Sequence, residues 1–214
     1  RVVAPLLNGI NAGRADDMSA AALTPQLLTA GRHPGGLLAG LADQQAAADH
    51  AAPVFGGFET GTGRLVDRLV EALGERGVEL RLGDHVRSIG PLEADGLVLA
   101  LPTFAAADLL ADASPGAAGL LETITYASVV LVSLAAPQAA VAHPLDASGF
   151  LVADPEGLLL TACSWSSAKW AHLDGDTVVL RASAGSAGDD RIDHLEDDEL
   201  VDHLLADLGT TMGL

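Results

Sequence analysis

Four short strand-like runs in the second half of the chain constrain its fold more than any other feature: Ala127 to Leu134, Gly149 to Val152, Leu158 to Cys163 and Thr177 to Ala182. Each is dominated by apolar residues suited to a pleated, half-buried surface, and Pro, Gly and Asp turn residues separate them. This spacing predicts an antiparallel sheet. Behind the sheet, Asp197-Asp198 open a last helix with Leu200, Val201, Leu204, Leu205 and Leu208 on one face, acidic residues being favourable at a helix N-terminus.

The residues ahead of the sheet read differently. The first fifty or so are rich in Ala and Leu, with helix starts at Ser19 and at Thr24-Pro25 and breaks near Gly31 and Pro34-Gly35-Gly36, so short helices are expected. An extended piece around Val54 to Phe58 leads into a helix whose stripe is Leu65, Val66, Leu69, Val70 and Leu73, ended by Gly74 and Gly77. Glu79 to Leu82 and Val86 to Ile89 read as short strands. Gly96 to Leu101 reads as a buried strand stopped by Pro102, after which Thr103 caps a helix from Phe104 to Leu110. The whole is a mixed α+β chain of two interleaved parts.

Composition limits what such a chain does. With 49% hydrophobic residues in 214, it holds enough apolar material for one large core or two small ones, which excludes disorder as its main state. Its 29 acidic residues against 11 basic ones give a net charge of −18, and no basic face is visible for a nucleic acid. Lys169 is the single lysine, so polybasic attraction to anionic lipid is excluded as well. No run approaches the roughly 18 apolar residues of a spanning helix. One cysteine, Cys163, fits a reducing compartment. The chain begins at Arg1 without Met, and a fragment of something larger is expected.

Individual motifs are weak. Ser166-Ser167-Ala168-Lys169 has the S-x-x-K spacing of serine acyl-transfer enzymes, yet the partner motifs are absent and a strand-end turn carrying a rim lysine is the simpler reading. No G-x-S-x-G elbow occurs. The seven histidines show no zinc spacing, and His194 and His203 fall in an acidic, solvated stretch. Asp16-Asp17, Asp189-Asp190 and Asp197-Asp198 read as turn or cap residues, and Cys163 as a small buried hydrophobe. Gly56-Gly57, Gly61 and Gly63 form a tight turn before the Arg64 helix, but no dinucleotide fingerprint G-x-G-x-x-G is present. No catalytic residue and no metal ligand is assigned.

Three stretches together carry a resemblance. Pro5-Leu6-Leu7-Asn8-Gly9-Ile10-Asn11-Ala12-Gly13 with Asp16-Asp17-Met18-Ser19 resembles a segment of the FAD-dependent protoporphyrinogen and coproporphyrinogen oxidases of heme synthesis. Gly149-Phe150-Leu151-Val152 with Gly157 to Trp170, containing Thr161-Ala162-Cys163-Ser164-Trp165-Ser166-Ser167-Ala168-Lys169-Trp170, is similar to the same family's "GFLVP…EGLL-ACTWSS-KWPH" region. Gly61 to Leu73 is similar to the turn and helix shared across the wider flavin amine-oxidase superfamily. The resemblance covers most of the chain but only the middle of such an enzyme.

It implies an oxygen-dependent flavoprotein that converts a porphyrinogen to the porphyrin, with FAD in the full-length parent doing the redox chemistry. It places Val86, Ala100, Leu101 and Pro102 beside the cofactor, and Asn8, Gly9, Phe150 and Lys169 at the substrate, with Lys169 facing a propionate. Phe150, Trp165 and Trp170 could stack on a flat macrocycle, although with aromatics at 3% of the chain the core-anchor reading is favoured. Asn11 replaces the usual Tyr or Phe, Thr60 replaces the first Gly of the GG turn, and Ile89 to Ala94 is short, as if a hairpin were deleted. The implied domains are residues 1–54, the helical part of the substrate domain; 55–110, the central portion of the FAD-binding domain; 111–184, the substrate-domain sheet; and 185–214, an acidic turn and helix. Partners implied are the porphyrinogen and oxygen, in the cytoplasm, with peripheral membrane contact through the N-terminal helices and a homodimer left open. The competing readings are an amine oxidase or carotenoid desaturase, and a non-catalytic porphyrin- or protein-binding module.

Overall fold

A computed structural model describes residues 3–48, 56–90, 94–153, 156–213 of the chain. In chain order the helices are α1 (Val3–Asn11), α2 (Ala20–Leu23), α3 (Pro25–Gly31), α4 (Leu37–Ala47), α5 (Gly63–Glu75), α6 (Thr103–Leu110), α7 (Pro115–Glu122), α8 (Ser166–Lys169) and α9 (Asp197–Met212). The strands are β1 (Val130–Pro137), β2 (Gly149–Leu151), β3 (Leu160–Trp165) and β4 (Thr177–Ala184). Two compact units result, residues 1–61 with 127–214, and residues 62–126. The fold class is α+β, as the sequence predicts.

In the first unit all four strand-like runs join one antiparallel sheet of order β1-β4-β3-β2. The ladder pairs Leu134 with Leu180 and Cys163 with Ala182. Strict alternation along β4 sends Val178, Leu180, Ala182 and Ala184 to one face, all buried. That face shares one core with α9, whose Leu200, Leu204, Leu208 and Met212 recur every four residues and are buried. Leu205, expected on the same stripe, is 48% exposed, and Val201 is half-buried. The first turn of α9 is fixed by a capping box between Glu196 and Glu199, with Asp197 and Asp198 just inside the N-terminus. The helix starts at Ser19 and Thr24-Pro25 are present as expected, opening α2 and α3.

The second unit departs from the sequence reading. Residues 79–82, 86–89 and 96–101 are not strands, and the supposed buried strand holds Val98 at 87% exposure. A strand exists only through its ladder partner, and none of these stretches finds one among the described residues. The α5 stripe forms on one helix face, yet Leu65, Val66, Leu69, Val70 and Leu73 all remain exposed. Thr103 is not the cap of α6 but its first residue, after Pro102. Its backbone N–H donates to the Tyr126 hydroxyl at 3.0 Å, while Phe104 meets the Tyr126 ring edge-on at 5.5 Å. Helix α7 went unread, although Ser114-Pro115 carries a helix-start signal. Of the expected extended piece Val54 to Phe58, residues 54 and 55 lie outside the described residues, as do 91–93 of the shortened stretch.

Candidate functional site

Two cavities gather the residues that the resemblance singles out. The first lies in residues 62–126 and has a volume of about 830 Å³. Val86, Ala100 and Leu101 line it together with Arg87, Leu97 and Phe104. Val86 and Ala100 are fourteen residues apart in sequence, and the stretches around them meet there. Pro102 is the residue that ends the second stretch and starts α6. The walls combine apolar side chains with Asp84, His85, Arg87 and Asp108 and with backbone groups that make no ladder.

Asn8 and Gly9 line the second cavity, about 200 Å³ in volume, with Arg14, Val152, Thr161 and Asp189. Asn8 sits on α1 and its Oδ1 accepts the Ala15 N–H at 3.1 Å, which turns the chain back after the helix. Gly9 is where α1 crosses β2: a Cβ there would come within 2.6 Å of Leu151 Cδ2. The helix end is tied down further by the Ala187 N–H donating to the Ala12 carbonyl at 2.7 Å.

The opposite wall is held by Asp189, which the sequence suggests only as a turn residue, and by Arg191, which carries no motif. Arg191 Nη2 lies 2.7 Å from Asp189 Oδ2, and the same guanidinium donates to the carbonyls of Gly157 (3.3 Å) and Leu158 (3.1 Å). Hydrogen bonding from Arg191 holds the Asp189 carboxyl below its ordinary range, and Asp189 in turn raises Arg191. Gly185 opens this turn at φ +92°, where a Cβ would meet Ile192 Cδ1 at 2.5 Å.

Phe150 and Lys169 lie elsewhere. Phe150 points to the core face of β2 and meets Trp165 edge-on at 6.4 Å, the core-anchor arrangement. Trp165 is 4% exposed, and its Nε1 has no hydrogen-bond partner among the described residues. Lys169 ends α8 exposed, with Nζ 5.7 Å from the Trp170 ring centroid. In the S-x-x-K stretch the hydroxyl bonded to its surroundings is Ser167, which accepts from the Val179 N–H at 2.8 Å and donates to the Thr177 carbonyl, a splint on β4. Cys163 is 1% exposed, and burial pushes its thiol up to about 11. Among the described residues no group of three or more His, Cys, Asp or Glu could hold a metal ion.

Comparison with known proteins agrees along the entire chain. The family model for flavin containing amine oxidoreductases matches residues 1–213. A coproporphyrinogen III oxidase of Bacillus subtilis is 29% identical over all of this chain and 49% of its own length. One from Mycobacterium tuberculosis is 32% identical over all of this chain and 48% of its own length. A crystal structure from Exiguobacterium sp., provisionally called a protoporphyrinogen oxidase, superposes with a TM-score of 0.82 at 30% identity, over 99% of this chain and 47% of that one. The chain thus spans about half the length of the relatives it matches, and it belongs to the flavin containing amine oxidoreductase family.

Proposed function

We propose that the chain is the central part of an oxygen-dependent FAD oxidase that converts a porphyrinogen, coproporphyrinogen III or protoporphyrinogen IX, to the porphyrin in heme synthesis. The observation that carries this reading is the joining of Val86, Ala100 and Leu101 on one cavity of about 830 Å³ lined by apolar and polar side chains. Those residues fit the flat rings of FAD. When bound, FAD supplies the acceptor for the hydride equivalents removed from the macrocycle.

The chain's own residues would position and exclude. Val86, Ala100, Leu101 and Pro102 would wall the cofactor, and Asn8 and Gly9 would close one rim of the substrate space. Lys169 would approach a propionate carboxylate, and Phe150 would brace the strand that carries the rim. The division of the chain at residues 61 and 127 supports a cofactor-binding portion, read as 55–110, between the helical substrate portion 1–54 and the sheet portion 111–184. The names of the relatives favour coproporphyrinogen III.

Oxygen as the acceptor and a cytoplasmic location belong to the same proposal. So do peripheral membrane contact through α1–α4, which expose Ile10 and Leu38, and a homodimer. Among the described residues no helix is long and apolar enough to cross a membrane.

The test is to purify the intact protein carrying this chain with added FAD, record its absorbance, and supply coproporphyrinogen III in air. A flavin spectrum and the appearance of fluorescent porphyrin faster than in the protein-free control are expected. A colourless protein, or porphyrin formation at the control rate, overturns the proposal.

A further inference from the structure

The sheet has a second face, turned away from α9. Because the strands pair in register, Ser133 on β1 and Ser164 on β3 both stand opposite Arg181 on β4, one of the two inner strands. The neighbouring row places Leu131, Ser183, Ala162 and Leu151 side by side across all four strands. Beside the guanidinium stand two serine hydroxyls, and the neighbouring row has small side chains, Ser183 and Ala162, on the two inner strands with an exposed leucine on each edge strand. Adjacent strands are about 4.8 Å apart, so the small residues of the inner strands leave a narrow shelf between the edge leucines.

Arg181 has no ion pair and no side-chain hydrogen bond among the described residues. Five other arginines are ion-paired, Arg14 with Asp17, Arg64 and Arg68 with Glu71, Arg81 with Glu79 and Arg191 with Asp189, whereas Arg32, Arg76 and Arg87 have no ion pair among the described residues. What sets Arg181 apart is its place, a cation on the middle of a sheet face in a chain of net charge −18. Sequence reading missed it, since Arg181 looks like the solvent-side residue of an alternating strand. Arg181, Ser164, Ser183, Gly149, Leu151 and Ala162 line a cavity of about 230 Å³ on this face. Leu151 is also the residue that Gly9 approaches, so this shelf adjoins the rim formed by α1.

We propose that Arg181 anchors a carboxylate arm of the substrate, the macrocycle lying along the shelf of small residues with the hydroxyls of Ser133 and Ser164 beside the guanidinium. The proposal rests on the porphyrinogen reading above. A planar guanidinium pairs with a carboxylate through two parallel N–H donors, and the small neighbours leave both accessible. The chemistry recognised is a flat apolar body bearing anionic arms, and a tetracarboxylate satisfies it more often per orientation than a dicarboxylate.

The experiment uses the intact protein carrying this chain, with coproporphyrin III and its tetramethyl ester as probes and quenching of porphyrin fluorescence as the readout. Arg181→Ala is expected to weaken binding of the acid at least about tenfold, as loss of a charge-assisted hydrogen-bonded pair does, and to leave the ester unchanged. Arg181→Lys should recover part of the loss. Ser164→Asp, which keeps Arg181 but sets a carboxylate at the paired position, should weaken the acid selectively as well. Far-UV circular dichroism checks that each variant is folded. Wild-type protein that binds both probes, with Arg181→Ala binding the acid equally well, overturns the anchor and leaves the porphyrinogen reading intact. Equal losses for acid and ester overturn it too, by making Arg181 structural. Wild-type protein that binds neither probe overturns the porphyrinogen reading and the anchor with it.

Discussion

Asp207 Oδ2, on the third turn of α9, lies 2.9 Å from the backbone nitrogen of Leu160 at the start of β3, and it accepts the adjacent Leu159 N–H at 2.8 Å. One carboxylate oxygen thus satisfies two donors just where the ladder of β3 has not yet begun. It also sets the height of α9 along the sheet. Leu204 and Leu208, on either side of Asp207, then meet the core face of β4.

Asp207→Ala should therefore destabilise the protein by about 1–3 kcal/mol, because the two donors lose their acceptor while remaining half-buried. Asp207→Asn keeps one acceptor oxygen and should cost less. Denaturant unfolding monitored by tryptophan fluorescence measures both, and equal stability of Asp207→Ala and wild type would contradict the tether.

Leu204 and Leu205 are neighbours in sequence with opposite fates. Leu204 is fully buried, so Leu204→Ala should cost about 2–5 kcal/mol through lost transfer energy and the cavity left behind. Leu205 is 48% exposed, so Leu205→Ala should stay within about 1 kcal/mol of wild type. The same unfolding assay separates them, and a reversed order would refute the facing of α9.

The Asp189–Arg191 pair makes stability depend on acid. Arg191 lowers the carboxyl of Asp189 in the folded protein, so this contribution is present above the ordinary carboxylate pKa of about 4 and is lost as pH falls through the depressed folded value. Arg191→Met removes the shift. Its stability deficit against wild type should be largest near neutral pH and shrink as acidification takes the wild-type Asp189 through its depressed folded value. A deficit constant with pH would show that the carbonyl contacts to Gly157 and Leu158 carry the whole effect.

Cys163 should be inert in the native state. Burial raises its thiol to about 11, and at 1% exposure no reagent reaches it without opening the sheet. A disulfide-exchange reagent at neutral pH should label the protein only at the rate of unfolding, and full labelling in denaturant provides the control. Labelling at the rate of a free thiol would place Cys163 at the surface.

Legibility followed the source of the structural signal. The sheet was readable because β1, β3 and β4 alternate or run apolar over lengths typical of strands, and their partners lie within the same chain. Helix α9 was readable from its four-residue repeat and acidic start. The stretches 79–82, 86–89 and 96–101 carry equally good strand composition and form none, because hydrogen-bonding partners, not composition, make a strand. Likewise the α5 stripe announces an apolar contact without stating what supplies it. Of the site, motif resemblance named Val86, Ala100, Leu101, Asn8 and Gly9, while Arg191 and Arg181 carried no motif and gained meaning only from what stands across from them.

The sequence by itself determined the class of the fold, the alternation that gives β4 one buried and one open face, and the acidic charge of the chain. Only the tertiary structure decided that Arg181 stands between Ser133 and Ser164, that Asp207 reaches β3 and that Val86 meets Ala100 across one cavity. The physical reason is that periodicity is local and is written in the order of side chains. Register, crossing points and cavities arise from pairings between distant segments, whose energies depend on both partners at once.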